Sequence, residues 1–189
     1  MLPMKKAVSK KKGLLSTKTG QQSQIVGQKD LMLEFFFEHP VASLTVRGLA
    51  SETGIRRSTI QRHLKSLRKE GYLSKENRWA DTWFNRIRKT DYFLEKFCAS
   101  GLIGYLEEQL AASAIILFGS FRKGESAKES DIDLFVECAK EKELNLQPFE
   151  KLLGHKIQLF TRPKITLLPK HLLNNVVNGI KLKGYFTIK

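Results

Sequence analysis

The chain has 189 residues, of which 41% are hydrophobic and 28% are charged, and its formal net charge is +14. This composition excludes collagenous, low-complexity and wholly disordered chains, and it provides enough apolar residues for a sizeable core. The longest apolar stretch, around 114–118, is far shorter than the roughly 18 residues of a membrane span. Cys98 and Cys138 are the only cysteines, which fits a reducing compartment, so we predict a cytoplasmic protein without membrane contact.

The positive charge is concentrated near the N-terminus. Residues 1–29 contain seven Lys and no acidic residue, which accounts for half of the net charge. Because these residues have little apolar surface to bury, we predict a flexible basic tail over 1–27. Such a tail attracts nucleic acid through counterion release without reading its sequence. The alternative is a tail that only keeps the chain in solution.

The next region has a helical pattern. Leu31, Leu33 and the run Phe35–Phe37 predict a buried helix that begins at Gln28. The helix should end before Pro40, because proline disfavours helical geometry in the residue that precedes it.

Two more helices and a hairpin are predicted after Pro40. Thr45 can cap a short helix, and Gly54 provides a tight turn after it. A further helix has apolar residues at i, i+4 and i+7, namely Ile60, Leu64 and Leu67. Its opposite face is polar and basic and supplies the candidate DNA-binding residues Arg57, Ser58, Thr59, Gln61, Arg62 and Lys65. Gly71–Ser74 then predicts the start of a β-hairpin.

The string from Leu44-Thr45-Val46 to Arg62-His63-Leu64, followed by Leu67 and Gly71-Tyr72-Leu73, resembles a winged helix-turn-helix of the transcription-regulator type. The resemblance implies a recognition helix that enters the major groove of DNA. The chain departs from the pattern at Arg56, where such helices often have a Ser cap. The alternative is a winged helix that serves dimerisation or protein docking.

Residues 76–110 mix aromatic and basic side chains. Trp79, Trp83, Phe84, Phe93 and Phe97 alternate with Arg86, Arg88 and Lys89. Aromatic and basic residues together can stack on bases. We favour the interpretation that they pack linker helices over 81–110 against the rest of the chain.

The pattern that predicts chemistry lies at 114–137. The apolar run Ala114–Phe118 predicts a buried strand, and Gly119-Ser120 breaks it and should lead into a helix. A second strand should begin at Asp131. It alternates, with Asp131 and Asp133 on one face and the apolar residues Ile132, Leu134 and Val136 on the other.

Two neighbouring carboxylates repel each other unless a cation bridges them. Mg²⁺ takes oxygen ligands, commonly one or two carboxylates together with substrate phosphates. Gly119 allows the backbone to approach a phosphate closely, Ser120 can donate a hydrogen bond, and Lys123 lies nearby as a charge partner.

Gly-Ser, ten further residues and then Asp-x-Asp is similar to the minimal form of the DNA polymerase beta-like nucleotidyltransferase superfamily. The likeness includes Gly124 and the string Ser130-Asp131-Ile132-Asp133-Leu134. It implies transfer of a nucleoside monophosphate from an NTP to an acceptor hydroxyl. It also implies that Gly119 and Ser120 hold the triphosphate, while Asp131 and Asp133 ligate Mg²⁺ or Mn²⁺ and are the catalytic residues.

Active members of the family generally add a third carboxylate from a neighbouring strand. The candidate strand here is 155–160, where Ile157 and Leu159 share one face and leave Gln158 at the position of that acid. The amide of glutamine is neutral, so it is a weaker metal ligand and cannot accept a proton as a base.

Three alternatives follow from Gln158. Asp131 and Asp133 suffice with water, Glu137 or Glu125 substitutes for the missing acid, or the site binds NTP without turnover. His155 could serve as a base, although a single histidine at a strand end is more often a surface residue.

The remaining elements are predicted as a helix over 146–153, a helix over 169–177 and a short strand or tail over 180–186. The fold class is therefore α/β (α+β), with a winged helix-turn-helix at 28–80, linker helices at 81–110 and a small nucleotidyltransferase domain with a mixed sheet at 111–189. We predict a Mg²⁺-dependent nucleotidyltransferase that its winged helix targets to nucleic acid. The alternatives are a DNA-binding regulator with a degenerate, nucleotide-sensing transferase domain, and the transferase half of a toxin–antitoxin pair that modifies a protein partner.

Overall fold

The computed structural model describes residues 27–42 and 45–187. Nearly all of the predicted basic tail at 1–27 lies outside these residues, as do Ser43 and the first residue of the helix-turn-helix string, Leu44. None of the helices described is long and apolar enough to cross a membrane.

The N-terminal region contains three helices, α1 (Gln28–Glu38), α2 (Val46–Thr53) and α3 (Arg57–Lys69). The Thr45 hydroxyl accepts a hydrogen bond from the backbone N–H of Gly48 at 3.2 Å and so caps α2. Gly54 ends α2 in the left-handed conformation with φ of 70°. These contacts confirm the predicted cap and turn.

On α1 the buried residues differ in part from the prediction. Met32 and Phe36 are fully buried one turn apart, and Phe37 is buried beside them, whereas Leu31 is 39% exposed. The prediction of a buried helix is confirmed, but Leu31, one of the residues on which it rested, is not part of the core.

A hairpin follows α3 and forms a short wing. The Tyr72 carbonyl accepts from Ala80 N–H, and Leu73 and Trp79 form a single antiparallel bridge. Asn77 has a positive φ of 57° near the tip, a conformation that Asn tolerates better than most residues. The hairpin confirms the wing that Gly71–Ser74 predicted.

Two helices join this region to the sheet, α4 (Trp83–Ala99) and α5 (Leu102–Leu110). Phe93 and Phe97 of α4 are buried, as is Trp79 before it. Trp83, however, is 75% exposed. Phe84 is also exposed, so the interpretation that the aromatic residues pack linker helices is confirmed for Trp79, Phe93 and Phe97 and wrong for Trp83 and Phe84.

The C-terminal region is a four-stranded sheet with helices. Its strands have the order β3-β2-β1-β4, in which β1 is antiparallel to β2 and β4 while β2 and β3 are parallel. The mixed α/β sheet confirms the predicted fold class. The elements are β1 (Ala114–Phe118), α6 (Gly119–Lys123), β2 (Ile132–Glu137), α7 (Gln147–Leu153), β3 (Ile157–Arg162), a 3₁₀ turn (Ile165–Leu167), α8 (Lys170–Val177) and β4 (Ile180–Gly184).

Some element bounds differ from the predictions by one or two residues. β2 begins at Ile132 rather than Asp131, so the first carboxylate precedes the strand. β3 begins at Ile157, two residues after the predicted start at 155. Pro169 is the N-cap of α8 and not a residue of its first turn.

The two faces of the sheet pack into different cores. One face is continuous with the buried residues of α1, α3, α4 and α5, and its members are Ile115, Leu117, Ile132, Leu134, Val136 and Ile157. The other face packs under the 3₁₀ turn and α8 through Ile116, Phe118 and Phe135. The larger core therefore joins the helix-turn-helix region to the sheet.

Candidate active site

The site is built around a close approach between Gly119 and Asp133. Gly119 begins α6 directly after β1 and has a φ of 70°. A Cβ atom added at Gly119 would overlap the carboxylate of Asp133 and would lie 2.8 Å from its Cγ. Only glycine fits this position, both in conformation and in space.

The two carboxylates lie at the start of β2. Asp133 is half-buried and pairs with Phe118 in the register of β1, whereas Asp131 is exposed and directly precedes the strand. Burial raises the pKa of Asp133, and the charge of Asp131 raises it further. A bound cation would reduce the repulsion between these two carboxylates and would stabilise the ionised form of Asp133.

Gln158 lies beside Asp133. The parallel register between β2 and β3 pairs the two residues directly, and Gln158 is exposed. Neighbouring residues in register point to the same side of a sheet. The alternation along β3 therefore predicted this placement correctly.

The two acids proposed as substitutes for a third carboxylate are engaged elsewhere. Glu137 lies at the opposite end of β2 from Asp133, where its carboxylate accepts hydrogen bonds from Ser113 Oγ at 2.8 Å and Ile165 N–H at 2.8 Å. Glu125 forms an ion pair with Arg86. Within the described residues, no group of three His, Cys, Asp or Glu side chains could hold a metal ion. The alternative in which Glu137 substitutes for the third acid is therefore wrong, and the alternative in which Glu125 substitutes would require it to leave Arg86.

His155 is neither a surface residue nor a free base. Its side chain is 1% exposed. Nδ1 lies 2.9 Å from the carbonyl oxygen of Ser130, and Nε2 lies 3.0 Å from Glu38 Oε1. Both ring nitrogens are therefore occupied, and both alternatives for this residue were wrong.

The structure places Ser120 and Lys123 at different parts of α6. Ser120 is half-buried and directly follows Gly119, the residue that lies against the carboxylate of Asp133. Lys123 is exposed at the end of α6 and lines a cavity of about 500 Å³ between α4 and α6, together with Trp83 and Ile180. Neither Asp131 nor Asp133 lines this cavity.

The predicted DNA-binding residues share one exposed face of α3. Thr59 is half-buried, and the others are exposed, namely Arg57, Ser58, Gln61, Arg62 and Lys65. Burial lowers the pKa of His63 on the same helix, and the charges of Arg62 and Lys29 lower it further. Arg56 is the N-cap and makes no side-chain cap bond, so α3 begins at Arg57 without the usual hydroxyl cap.

The segment between α6 and β2 is held by Lys89, which the sequence analysis named only among the residues that pack the linker helices. Lys89 of α4 is 1% exposed and donates to the carbonyl of Ser126. Burial lowers the pKa of Lys89 to about 8. Its spacing of four residues from the buried Phe93 was a signal in the sequence that this lysine faces inward.

Comparison with known proteins agrees with the two regions. Residues 100–182 match the family model described as "Nucleotidyltransferase domain", and residues 32–75 match the model described as "Bacterial regulatory protein, arsR family". The chain is 34% identical over 67 residues to a Methanocaldococcus jannaschii protein described as "Putative protein adenylyltransferase". The aligned part covers 32% of this chain and 67% of that protein. No solved structure gives a significant match.

Proposed function

The chain belongs to the nucleotidyltransferase domain family and has an ArsR-type helix-turn-helix, and on that premise we propose that it moves a nucleoside monophosphate from an NTP to an acceptor hydroxyl. The observation that carries this proposal is the contact between Gly119 and Asp133. It brings the backbone after β1, which would hold the triphosphate with Ser120, against the carboxylate of Asp133. We keep the division into 28–80, 81–110 and 111–189 as part of the proposal.

The residues present fit a divalent cation with oxygen ligands. Asp131 and Asp133 would hold Mg²⁺ or Mn²⁺. The pKa of Asp133 is raised because no positive charge among the described residues compensates its burial and the charge of Asp131, and a cation would supply that charge. Two protein carboxylates are a usual number for Mg²⁺ when substrate phosphates supply further oxygens. When bound, the metal would neutralise charge on the phosphates and stabilise the entering and leaving oxygens.

The proposed reaction exchanges one phosphorus–oxygen bond for another. The acceptor oxygen forms a bond to the α-phosphorus, the bond from that phosphorus to the bridging oxygen breaks, and pyrophosphate leaves. The acceptor loses its proton to water or to a carboxylate, because the neutral amide of Gln158 cannot take it. Lys123 would provide a positive charge for the polyphosphate from the end of α6.

The name of the relative suggests the acceptor of the reaction, and the exposed face of α3 suggests where the protein binds. The name of the Methanocaldococcus jannaschii relative refers to adenylyl transfer to protein. We therefore propose ATP as the donor and a protein hydroxyl as the acceptor. The exposed basic face of α3 would bind DNA and bring the transferase to its partner there.

Incubation of the full chain with each of the four α-labelled NTPs and Mg²⁺ tests this proposal. Host lysate proteins, RNA and DNA are offered as acceptors in parallel. We expect label from ATP on protein, and no label with the double variant Asp131→Asn/Asp133→Asn. Label on RNA or DNA would overturn the protein acceptor, and label that persists in the double variant would overturn the site.

A second candidate function is supported by Gln158. A site with two acids and a neutral neighbour can bind NTP without transferring it, which suits a DNA-binding regulator that senses nucleotides. Tight NTP binding without label transfer, together with DNA binding that changes with NTP, would favour this candidate over the first.

A further inference from the structure

The segment that leads into β2 is held by the last residue of α1. The backbone N–H of Lys128 donates to the carbonyl of Glu38 at 2.8 Å, and Lys128 Nζ lies 3.7 Å from Glu38 Oε2. Glu38 belongs to the region that matches the ArsR-type model, and its side chain is 9% exposed. The helix-turn-helix region therefore contacts the chain three residues before Asp131.

His155 makes a second connection between the same partners. Its Nε2 atom faces the Glu38 carboxylate and its Nδ1 atom faces the Ser130 carbonyl, both within hydrogen-bond distance. The imidazole ring packs edge-on against Phe93 and Phe121, with ring centroids 5.8 and 4.8 Å apart. These contacts fix the orientation of the ring.

The hydrogen bond to Ser130 constrains the peptide group that precedes Asp131. The carbonyl of Ser130 belongs to the peptide plane that it shares with the next residue, Asp131. On the other side of Asp131, the N–H of Ile132 donates to the carbonyl of Lys156 at 2.8 Å. The backbone on the two sides of Asp131 is thus hydrogen-bonded to two consecutive residues, His155 and Lys156. Asp131 itself is exposed and lies outside the strand.

We propose that Glu38 and His155 are positioning residues that orient Asp131 for metal binding through the carbonyl of Ser130. The proposal rests on the proposed function, since it takes Asp131 as a metal ligand. Neither residue would touch the metal or the nucleotide. Side chains that orient metal ligands through hydrogen bonds commonly change metal affinity by about 10–100-fold.

Binding of Mn²⁺ to the full chain, in the presence of an α,β-methylene ATP, tests this proposal without requiring turnover. Free Mn²⁺ is measured by its electron paramagnetic resonance signal. We expect Glu38→Ala to weaken Mn²⁺ binding by about 10-fold or more. Glu38→Gln should retain most of the affinity, because its amide oxygen still accepts from Nε2–H.

Glu34→Ala is the matched control. Glu34 lies one turn earlier on α1 and pairs with Lys96 of α4 at 2.6 Å, so its removal also breaks an ion pair of this helix. It does not reach Ser130, and we expect wild-type Mn²⁺ affinity. Equal losses in Glu34→Ala and Glu38→Ala would mean that α1 acts only by general support, and this result would overturn the proposal.

The double variant Glu38→Met/His155→Phe separates positioning from stability. Apolar side chains of similar volume often replace a buried ion pair without loss of stability, but they cannot hydrogen-bond to Ser130. We expect a melting temperature near that of the wild type and weakened Mn²⁺ binding; wild-type affinity in this variant would overturn the proposal. Wild-type protein that binds no Mn²⁺ would instead overturn the metal site of the proposed function.

Discussion

Asp133 is the residue at which stability and the proposed activity oppose each other. Burial and the neighbouring Asp131 raise its pKa above the ordinary value of 3.8. A carboxyl group whose folded pKa is raised stabilises the protein below its unfolded pKa, and this contribution is lost as the pH rises. Near pH 7, the ionised Asp133 therefore destabilises the metal-free protein.

We predict that Asp133→Asn raises the melting temperature of the metal-free protein at pH 7. The gain should shrink as the pH falls through the raised folded pKa towards the ordinary value of 3.8, because the carboxyl group then becomes protonated in the wild type as well. In the wild type, metal and NTP at 100 times the dissociation constant should add about 2.7 kcal/mol, or about 5–10 °C, and the variant should lose this shift. Differential scanning fluorimetry measures both effects. Glu129→Gln, at an exposed residue, is the control. If Asp133→Asn still shows the rise in melting temperature with metal and NTP, the prediction is contradicted.

At Gln158 we predict the effect of adding a carboxylate to the site. We expect Gln158→Asp to increase transfer, since a carboxylate beside Asp133 adds a metal ligand and a base, and general base catalysis contributes roughly 10²–10⁴-fold. Gln158→Ala should change the rate little. Initial rates with labelled ATP measure the effect. If the wild type is active and Gln158→Asp is slower, the glutamine amide itself orients the acceptor.

For single residues, the sequence predicted the placements that follow from the alternation of side chains along a strand. The period of two along β3 was enough to place Gln158 on the face of Asp133. The burial of His155 was not predictable in this way, because its partner Glu38 is 117 residues away in the chain. Only the packing of α1 against the sheet brings the two together.

Helix α3 has one buried apolar face and one exposed face that is polar and basic. Its buried stripe of Ile60, Leu64 and Leu67 was fully predicted from the helical period. For α1, a cluster of apolar residues hid which side is buried, so Leu31 was assigned to the core incorrectly. A helix with a clear polar face is thus easier to orient from sequence than one that is apolar on several sides.

We predict that Arg57→Ala/Arg62→Ala lowers the salt dependence of duplex DNA binding. Each lost phosphate contact should reduce the slope of log K against log salt by roughly one unit, so the double variant should lose about two. Titrations at several salt concentrations, on a chain that lacks residues 1–26, measure this slope. Lys140→Ala/Lys151→Ala, in the transferase region, is the control with the same charge change. Loss of all binding on removal of 1–26 would show that α3 is a docking surface instead.

On the scale of the whole molecule, the two regions share one core. The large apolar cluster runs from α1 and α3 through α4 and α5 to one face of the sheet. The sequence suggested two domains with a linker, since motif spacing carries no information on contacts between regions. Glu38 adds a polar connection to this apolar one, and the connection depends on charge.

The stability of this connection should depend on pH through Glu38. Burial alone would raise the pKa of Glu38, but the hydrogen bond and charge of His155, with the charges of Lys128 and Lys96, outweigh it and hold the pKa below the ordinary value of 4.5. A carboxyl group with a lowered folded pKa stabilises the protein above its unfolded pKa, and this stability is lost as the pH falls through the folded value. The ion pairs between α1 and the transferase region should therefore fail in acid.

We predict that wild type and Glu38→Gln differ most in free energy of unfolding near pH 7, and that the difference shrinks below pH 4.5. The glutamine keeps one hydrogen bond to His155, so the difference at pH 7 should be smaller than the about 3–5 kcal/mol that removal of one partner of a buried ion pair costs. Urea unfolding of both proteins from pH 7 to pH 3 measures it, with Glu129→Gln as the exposed control. A difference that stays constant over this range would mean that the Glu38 charge does not join the two regions. A difference that disappears in acid would show that the helix-turn-helix and the transferase region are held together in part by a titratable carboxylate.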